Sequence, residues 1–503
     1  MAKISIDLDR TIGNVDRRVF GGFIEHLGRC IYGGIVEEGS PLSDEHGFRR
    51  DVMEAARQLR VSVLRWPGGN FVSGYHWMDG IGPLSERPRR MELAWHGEES
   101  NRFGTNEFIQ YCSLIAAEPY ICVNTGTGTI DEAQAWVEYC NGTGDTYWAN
   151  LRRKNGQLQP YGVKYWGLGN EVYGAWQIGA LSAEDYAKKA QEFAKVMKWT
   201  DPNIQLVSCG KNGWSDWDRI VLEKLAAIVD FHSIHIYTGS HDYYSNVFAP
   251  HQAERALHIC QALIDQVRYN QGIQHPIHVA YDEWNVWFRE RSPEARKKGL
   301  EEHYSLADAL AVATYLNIFI RQCRSVRMAN LAQLVNVIAP IFTNPQGLYR
   351  QTIFHPLRLY AEHMQQVALD VFVECETYNL SPEQETSSWP HRVADLGPFK
   401  LLDVTATCDP DGREITLGVV NRDRERAIPA QIQFVQGVAV GSVVAYEVNG
   451  ADPDAVNSFA DPKAVSVQKR SVALDGHSFG YTFPAHSVTV LCTSTAGGQP
   501  KVD

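Results

Sequence analysis

The sequence has no C-x-x-C pair and no dense cysteine cluster; its 10 cysteines are scattered over 503 residues. That scatter suggests neither a disulfide framework nor a zinc site. Positive charge is not in excess either. The net charge of -12 argues against nucleic acid or an anionic membrane as the main partner. Long apolar runs are missing too. The most apolar one, Leu306–Ile320, carries Asp308, Thr314 and Asn317 and falls short of the roughly 20 residues that a spanning helix needs. It reads as a buried helix. Gly126–Thr127–Gly128–Thr129 lacks the lysine and the spacing of a phosphate-binding loop. The opening residues, Met1–Asp7, alternate like a strand without the apolar core of a secretory signal, so a cytoplasmic location is the expectation.

What is present is an ordinary globular composition, 44% hydrophobic and 21% charged, with both signs mixed along the chain. At 503 residues the chain exceeds the usual single-core limit, which predicts one large domain with a smaller partner. From Phe20 to Tyr360, short apolar runs alternate with helix-like segments. Candidate strands are Phe20–Glu25, Val61–Trp66, Tyr120–Asn124, Val163–Leu168, Gln205–Cys209, Val229–Ile236, Ile277–Tyr281 and Val326–Leu331. Eight such runs predict an α/β fold, a (β/α)₈ TIM barrel. Beyond a last helix at Phe354–Val367 the pattern changes to short alternating runs broken by Asp, Gly, Asn and Pro. These predict a C-terminal antiparallel β-sandwich, jelly-roll-like. The expected division is a catalytic barrel over 18–367, with 1–17 and 368–503 forming the sandwich and Lys3–Leu8 pairing into it as an N-terminal strand. Gly497–Pro500 reads as a frayed tail.

Two of the barrel segments end on a glutamate. Tyr165–Trp166–Gly167–Leu168–Gly169–Asn170–Glu171 follows candidate strand four, and His278–Val279–Ala280–Tyr281–Asp282–Glu283–Trp284 follows strand seven. Both therefore emerge at the C-terminal mouth, where the βα loops of a barrel converge. Two carboxylates are the smallest toolkit for cleaving a glycosidic bond: one protonates the leaving oxygen, and the other attacks the sugar or activates water. Each residue also has a plainer reading. An Asn–Glu pair caps helices, and an isolated Glu283 is an ordinary surface residue. Asn170 supplies an amide for a sugar hydroxyl, Trp166 and Trp176 lie nearby for sugar contacts, and Tyr281, Trp284 and Trp287 bracket Glu283 in a setting able to desolvate it. His232 and His235 invite a metal reading, but residues i and i+3 on a strand face opposite ways and cannot chelate one ion. No metal or other cofactor is expected.

The chain resembles family 51 of the glycoside hydrolases, the α-L-arabinofuranosidases. The resemblance rests on Gly21–Gly22–Phe23–Ile24–Glu25–His26, Leu64–Arg65–Trp66–Pro67–Gly68–Gly69–Asn70–Phe71, Gly167–Leu168–Gly169–Asn170–Glu171 and Asp282–Glu283–Trp284–Asn285–Val286–Trp287. Phe103–Phe108 and Leu334–Pro340 match in the same order, so essentially the whole chain is covered. The resemblance implies a retaining, exo-acting enzyme that releases terminal arabinofuranosyl groups from arabinan, arabinoxylan or derived oligosaccharides. Glu171 is implied as general acid/base and Glu283 as nucleophile. Glu25, Asn70 and Asn170 are implied to bind sugar hydroxyls, Tyr237 to hydrogen-bond the nucleophile, and Trp95 and Gln351 to close over the sugar. Arg65 and His235 are implied as supporting groups. Arg65 is alternatively a structural ion pair, and Asn70 a turn residue after Pro67–Gly68–Gly69.

For such a pair, chemistry expects a raised pKa on Glu171 and an ionised Glu283, with carboxyl groups about 5–5.5 Å apart for retention rather than about 9 Å for inversion. An endo-glucanase or β-xylosidase on the same fold is the alternative, and a non-catalytic sugar-binding protein a more distant one. The expected partners are an arabinose-containing oligosaccharide and further copies of the chain, with no nucleic acid and no membrane.

Overall fold

Eight short strands close into a parallel barrel: β2 (Gly21–Phe23), β3 (Val63–Trp66), β4 (Glu118–Cys122), β5 (Tyr165–Leu168), β6 (Gln205–Ser208), β7 (Phe231–Thr238), β8 (His278–Val286) and β9 (Val326–Ala332). All eight expected strands are present, and each follows its predecessor around the ring, with β9 closing onto β2. The computed structural model describes residues 1–289, 300–385, 392–435, 440–473 and 478–495; the expected tail at Gly497–Pro500 lies outside them.

The period of two along each strand builds the barrel interior in layers. Val63, Tyr120, Tyr165, Val207, Phe231, Ala280 and Met328 form an apolar layer, one side chain from each strand except β2. On β2, Gly21 occupies the corresponding place because a Cβ there would meet the Ala329 carbonyl and Val63 at 2.6 Å. Two residues further along come Arg65, Ser233, Asp282 and Asn330, all buried and polar. The chemistry therefore sits directly on a packed floor.

The outward residues of the same strands pack against the surrounding helices. Helix Leu306–Arg321 is buried along nearly its whole length, which accounts for its mostly apolar character: one side meets Tyr281 and Trp284 of β8, and another meets the second sheet. There Asn317 Nδ2 donates to Asp403 Oδ1 at 2.7 Å and Arg321 Nη1 to the same oxygen at 2.8 Å.

The second sheet has nine strands. β1 (Ala2–Asn14) joins β10 (Val367–Glu374), β11 (Leu402–Cys408), β12 (Glu414–Asn421), β13 (Ile428–Phe434), β14 (Val440–Asn449), β15 (Ser466–Val472), β16 (Ser478–Phe483) and β17 (Ser487–Thr495), in the order β15-β14-β17-β12-β11-β10-β1-β13-β16. Side chains from both halves of that order, among them Ile4, Leu417, Ile432 and Phe479, share one core, so the sheet closes over itself as a sandwich. The pairing is antiparallel except between β1 and β13, which run parallel. β10 begins at Val367, the residue at which the sequence pattern predicts a helix end; the helix stops at His363.

Candidate active site

Alternation along β7 sends Phe231, Ser233, His235 and Tyr237 into the barrel and turns His232 outward. The two histidines accordingly have separate partners. His232 lies 3.1 Å from Asp218 on helix Asp216–Leu225 and 2.9 Å from Ser208 Oγ, whereas His235 faces Glu171, Asp282 and Glu283.

On β8 the alternation is interrupted. Ala280 pairs with Ser233 and Glu283 with His235, three steps on one strand against two on the other. This β-bulge turns both Asp282 and Glu283 inward, where strict alternation would admit only one of them. The strand continues to Val286, so Glu283 lies inside it rather than in the loop that follows. Trp284 and Tyr281 face the helix layer and do not bracket the carboxylate. Trp166 is turned outward likewise, donating to the Val163 carbonyl at 3.0 Å.

Glu283 Oε1 accepts from Arg65 Nη1 at 2.8 Å, and Oε2 accepts from Tyr237 Oη at 2.8 Å. Arg65 is buried and also donates to Asn170 Oδ1 at 2.6 Å, so it aligns the nucleophile candidate with the residue beside Glu171. Asn170 Nδ2 is buried and has no protein partner, an unused donor in the site.

Glu171 follows β5 through a tight turn. Gly169 has φ 85°, where a Cβ would strike Thr125 Oγ1 at 2.0 Å, and Glu171 itself is left-handed at φ 43°. Its Oε1 accepts from Tyr173 Oη at 3.0 Å and meets His235 Nδ1 at 3.0 Å; Oε2 accepts from Trp176 Nε1 at 3.0 Å. Trp176 is 62% exposed and is the solvent-facing aromatic of the site.

The nearest ligating atoms of Glu171, His235 and Glu283 all lie within 4.8 Å of one another. Their oxygens are occupied by Arg65, Tyr237, Tyr173 and Trp176 as donors, and the fixed Arg65 charge opposes a metal cation there. The spacing suits two carboxylates acting on one sugar carbon.

The electrostatics depart from the expected order. Burial works against a charge on His235, but Glu283, Asp282 and Glu171 around it push its pKa up to about 10, so it is an imidazolium at neutral pH. Burial raises Glu171, yet hydrogen bonds from His235, Trp176 and Tyr173 bring it below its ordinary value. Burial and the Glu171 charge hold Glu283 above its ordinary value despite His235 and Arg65. The acid candidate is thus the more acidic of the pair. His235 favours both charges, but its Nδ1 lies 3.0 Å from Glu171 and 3.4 Å from Glu283, and Glu171 alone has the further Trp176 and Tyr173 donors while its charge raises Glu283.

A further buried carboxylate, Glu25, lies against Phe71 and Trp95. Glu25 Oε1 accepts from Phe71 N and Trp95 Nε1, both at 3.0 Å, and Oε2 from Gln333 Nε2 at 3.0 Å. Burial pushes its pKa up to about 7 against those donors. Asn70 opens the turn next to Phe71, with Gly68 and Gly69 against Glu25. Trp95 is carried between the paired strands Arg90–Glu92 and Gly97–Glu99, the second of which is held where Glu99 meets His26 Nδ1 at 2.7 Å.

One expected residue is elsewhere. Gln351 is fully buried and its amide is consumed by backbone: Nε2 donates to the Glu302 and Ala339 carbonyls, and Oε1 accepts from Tyr304 N. Gln333, just after β9, is the glutamine that reaches Glu25. Tyr173, Asp282 and Gln333 are site residues to which sequence reasoning gives no role.

Comparison with known proteins agrees with this arrangement. Residues 55–255 match the family description "Alpha-L-arabinofuranosidase 1 domain", and residues 282–487 match "Alpha-L-arabinofuranosidase C-terminal domain". The chain is 45% identical to α-L-arabinofuranosidase C of Emericella nidulans over 97% of this chain and 96% of that protein.

The chain belongs to the family 51 α-L-arabinofuranosidases.

It is also 38% identical to an intracellular exo-α-(1→5)-L-arabinofuranosidase of Streptomyces lividans, covering 99% of this chain and 76% of that one. Among solved structures, an arabinose complex of the Thermotoga maritima α-L-arabinofuranosidase superposes with a TM-score of 0.90 at 41% identity, covering 98% of this chain and all of the other. The family 51 fold, a closed barrel with a mostly antiparallel sheet unit, is the one this chain adopts.

Proposed function

We propose that this protein is an exo-acting α-L-arabinofuranosidase that releases terminal α-L-arabinofuranosyl groups from arabinan, arabinoxylan or their oligosaccharides by retaining double displacement. The observation that carries the reading is the close approach of Glu171 and Glu283, within 4.8 Å, with Arg65 and Tyr237 donating to one and Tyr173 and Trp176 to the other. Such proximity favours the short separation of a retaining pair over the wider one that admits an interposed water.

In this reading Glu283 attacks the anomeric carbon while Glu171 protonates the leaving oxygen. Glu171 then takes a proton from water as the sugar ester is hydrolysed. The unpartnered Asn170 amide donates to the sugar's 2-hydroxyl, and Glu25, Asn70 and Gln333 bind the others beneath Trp95. These groups converge on a single sugar unit, which favours an exo pocket.

The catalytic unit is assigned to 18–367, with 1–17 and 368–503 as the sandwich unit. A cytoplasmic location is supported by the S. lividans relative, which is named intracellular. Assembly into a homo-oligomer belongs to the same reading, and sedimentation of the purified protein tests it.

Hydrolysis of 4-nitrophenyl α-L-arabinofuranoside in the presence of methanol tests the activity. Methyl α-L-arabinofuranoside as the first product fits retention. The β-anomer, or sugar binding without turnover, contradicts the reading.

A further inference from the structure

His235 is gripped on both ring nitrogens by carboxylates of different kinds. Behind it, Nε2 lies 3.2 Å from Asp282 Oδ1, and Asp282 also accepts from Ser233 Oγ and, at 2.8 Å, from Tyr120 Oη. Burial opposes the Asp282 charge, but Arg65, His235 and Ser233 hold it well below the usual carboxylate range. Asp282 is therefore acceptor-only, and the ring keeps its Nε2 proton whenever it loses the other one. In front, Nδ1 lies 3.0 Å from Glu171 Oε1 and 3.4 Å from Glu283 Oε2. The Nδ1 proton is thus the mobile one, and it sits between the two reacting carboxylates.

We propose, resting on the retaining reading above, that His235 stores the proton Glu171 delivers to the leaving group, with Asp282 fixing which ring nitrogen gives it up. Before bond cleavage the Nδ1–H bond breaks and an O–H bond forms on Glu171, leaving a neutral ring protonated at Nε2. That one transfer loads the acid and removes the cation beside Glu283, freeing the nucleophile. Glu171 then passes the proton to the glycosidic oxygen as its bond to the anomeric carbon breaks and the Glu283 ester forms. In the second half, water adds to the anomeric carbon and gives its proton to Glu171, the ester bond breaks, and the Glu171 proton returns to Nδ1. The proton inventory closes after each turnover. The transfer also fits the inverted order of the two carboxylates: the proton is held one hydrogen bond behind the residue that uses it.

The groups facing His235 are Glu171 and, on the same loop, Tyr173, over whose ring Lys211 Nζ lies at 5.2 Å; Asp282 and Glu283 on β8; Tyr237 on its own strand; and Arg65 across the barrel. His235 acts through Glu171 and is a positioning residue, so its test needs a readout that a packing role does not move.

In His235→Gln the side-chain amide can still donate to Glu171 but cannot exchange a proton. The variant is expected to lose roughly 100-fold or more in kcat/KM on alkyl arabinofuranosides, the lower end of general acid–base effects, and to lose far less on the nitrophenyl substrate. The basic limb of its pH profile should also shift. Equal loss on both leaving groups with an unmoved pH profile overturns the proposal.

A second measurement needs no variant. In wild-type enzyme carrying ¹⁵N-histidine, both His235 nitrogens should be protonated in the free state. In an intermediate trapped with a 2-fluoro-arabinofuranosyl donor, only Nε2 should remain so. A protonated Nδ1 in the trapped ester overturns the proposal while leaving the activity intact; failure of the wild type to turn over the nitrophenyl substrate would instead strike at the activity itself.

Discussion

Glu171 and Glu283 are carboxylates a few ångströms apart, yet the chain holds them in opposite ways. Glu283 lies within β8, buried, its two oxygens fixed by Arg65 and Tyr237 from other strands. Glu171 lies past the end of β5 in a left-handed turn, partly open to solvent, with the exposed Trp176 on one oxygen and His235 on the other. A nucleophile must meet one carbon at one angle, and a strand with cross-barrel donors supplies that rigidity. A proton shuttle must meet a sugar leaving group and then a water, and a loop at the mouth supplies that access.

The comparison breaks first at Glu283. Glu283→Ala should lower kcat on the order of 10⁶-fold, the scale seen when a covalent nucleophile is removed. It should do so whatever the leaving group, as initial rates on nitrophenyl and alkyl arabinofuranosides would reveal.

Glu171→Ala should behave differently, losing about 10²–10⁴-fold on alkyl leaving groups, much less on nitrophenolate, and recovering part of its rate with azide. A loss independent of leaving group would remove the distinction between the two residues.

A gentler variant sharpens the comparison. Tyr237→Phe removes one of two fixed donors to Glu283, a charge-assisted bond of about 1.5–3 kcal/mol, and should lower kcat/KM by roughly 10–150-fold. Glu283 should then also ionise at higher pH, because a donor to its charged form is gone, so the acid limb of the pH profile moves up.

The smallest effect concerns Glu25. Its pKa, raised to about 7, means that it is protonated below and ionised above neutrality. Phe71 N, Trp95 and Gln333 all donate to it, so the ionised form is the one prepared to accept a sugar hydroxyl. KM should therefore fall as pH rises through about 7, and Glu25→Gln should flatten that dependence. For stability the sign is the reverse. The folded value lies above the ordinary carboxylate value, so the contribution from Glu25 is fully present at low pH and declines as pH rises through about 7.

Much of this was legible before any coordinates. The eight strands announce themselves as apolar runs, and the local motifs carry Glu25, Arg65, Asn170, Glu171, Tyr237 and Glu283 to one mouth because a parallel barrel sends every βα loop the same way. What was not legible depends on register and long-range pairing. Strict alternation would hide Asp282 behind Glu283; the bulge that admits both is visible only in the pairing with β7. Gln351 and Gln333 both lie after β9, and no local signal distinguishes the one bound by backbone carbonyls from the one that reaches Glu25. The parallel pairing of β1 with β13 joins segments more than 400 residues apart, beyond any periodicity argument. The order of the two carboxylate pKa values is likewise hidden, because it depends on a histidine whose carboxylate partners come from β8 and from the turn after β5.

In the proposed division, Glu283 does the nucleophilic work and Glu171 the proton transfer. Peptide mapping by mass spectrometry, after inactivation with a 2-fluoro-arabinofuranosyl donor, tests it most directly. A single fluoroarabinosyl ester is expected on Glu283, turning over slowly with Glu171 intact and persisting in Glu171→Ala; an adduct on Glu171, or inactivation without any covalent adduct, would contradict the division.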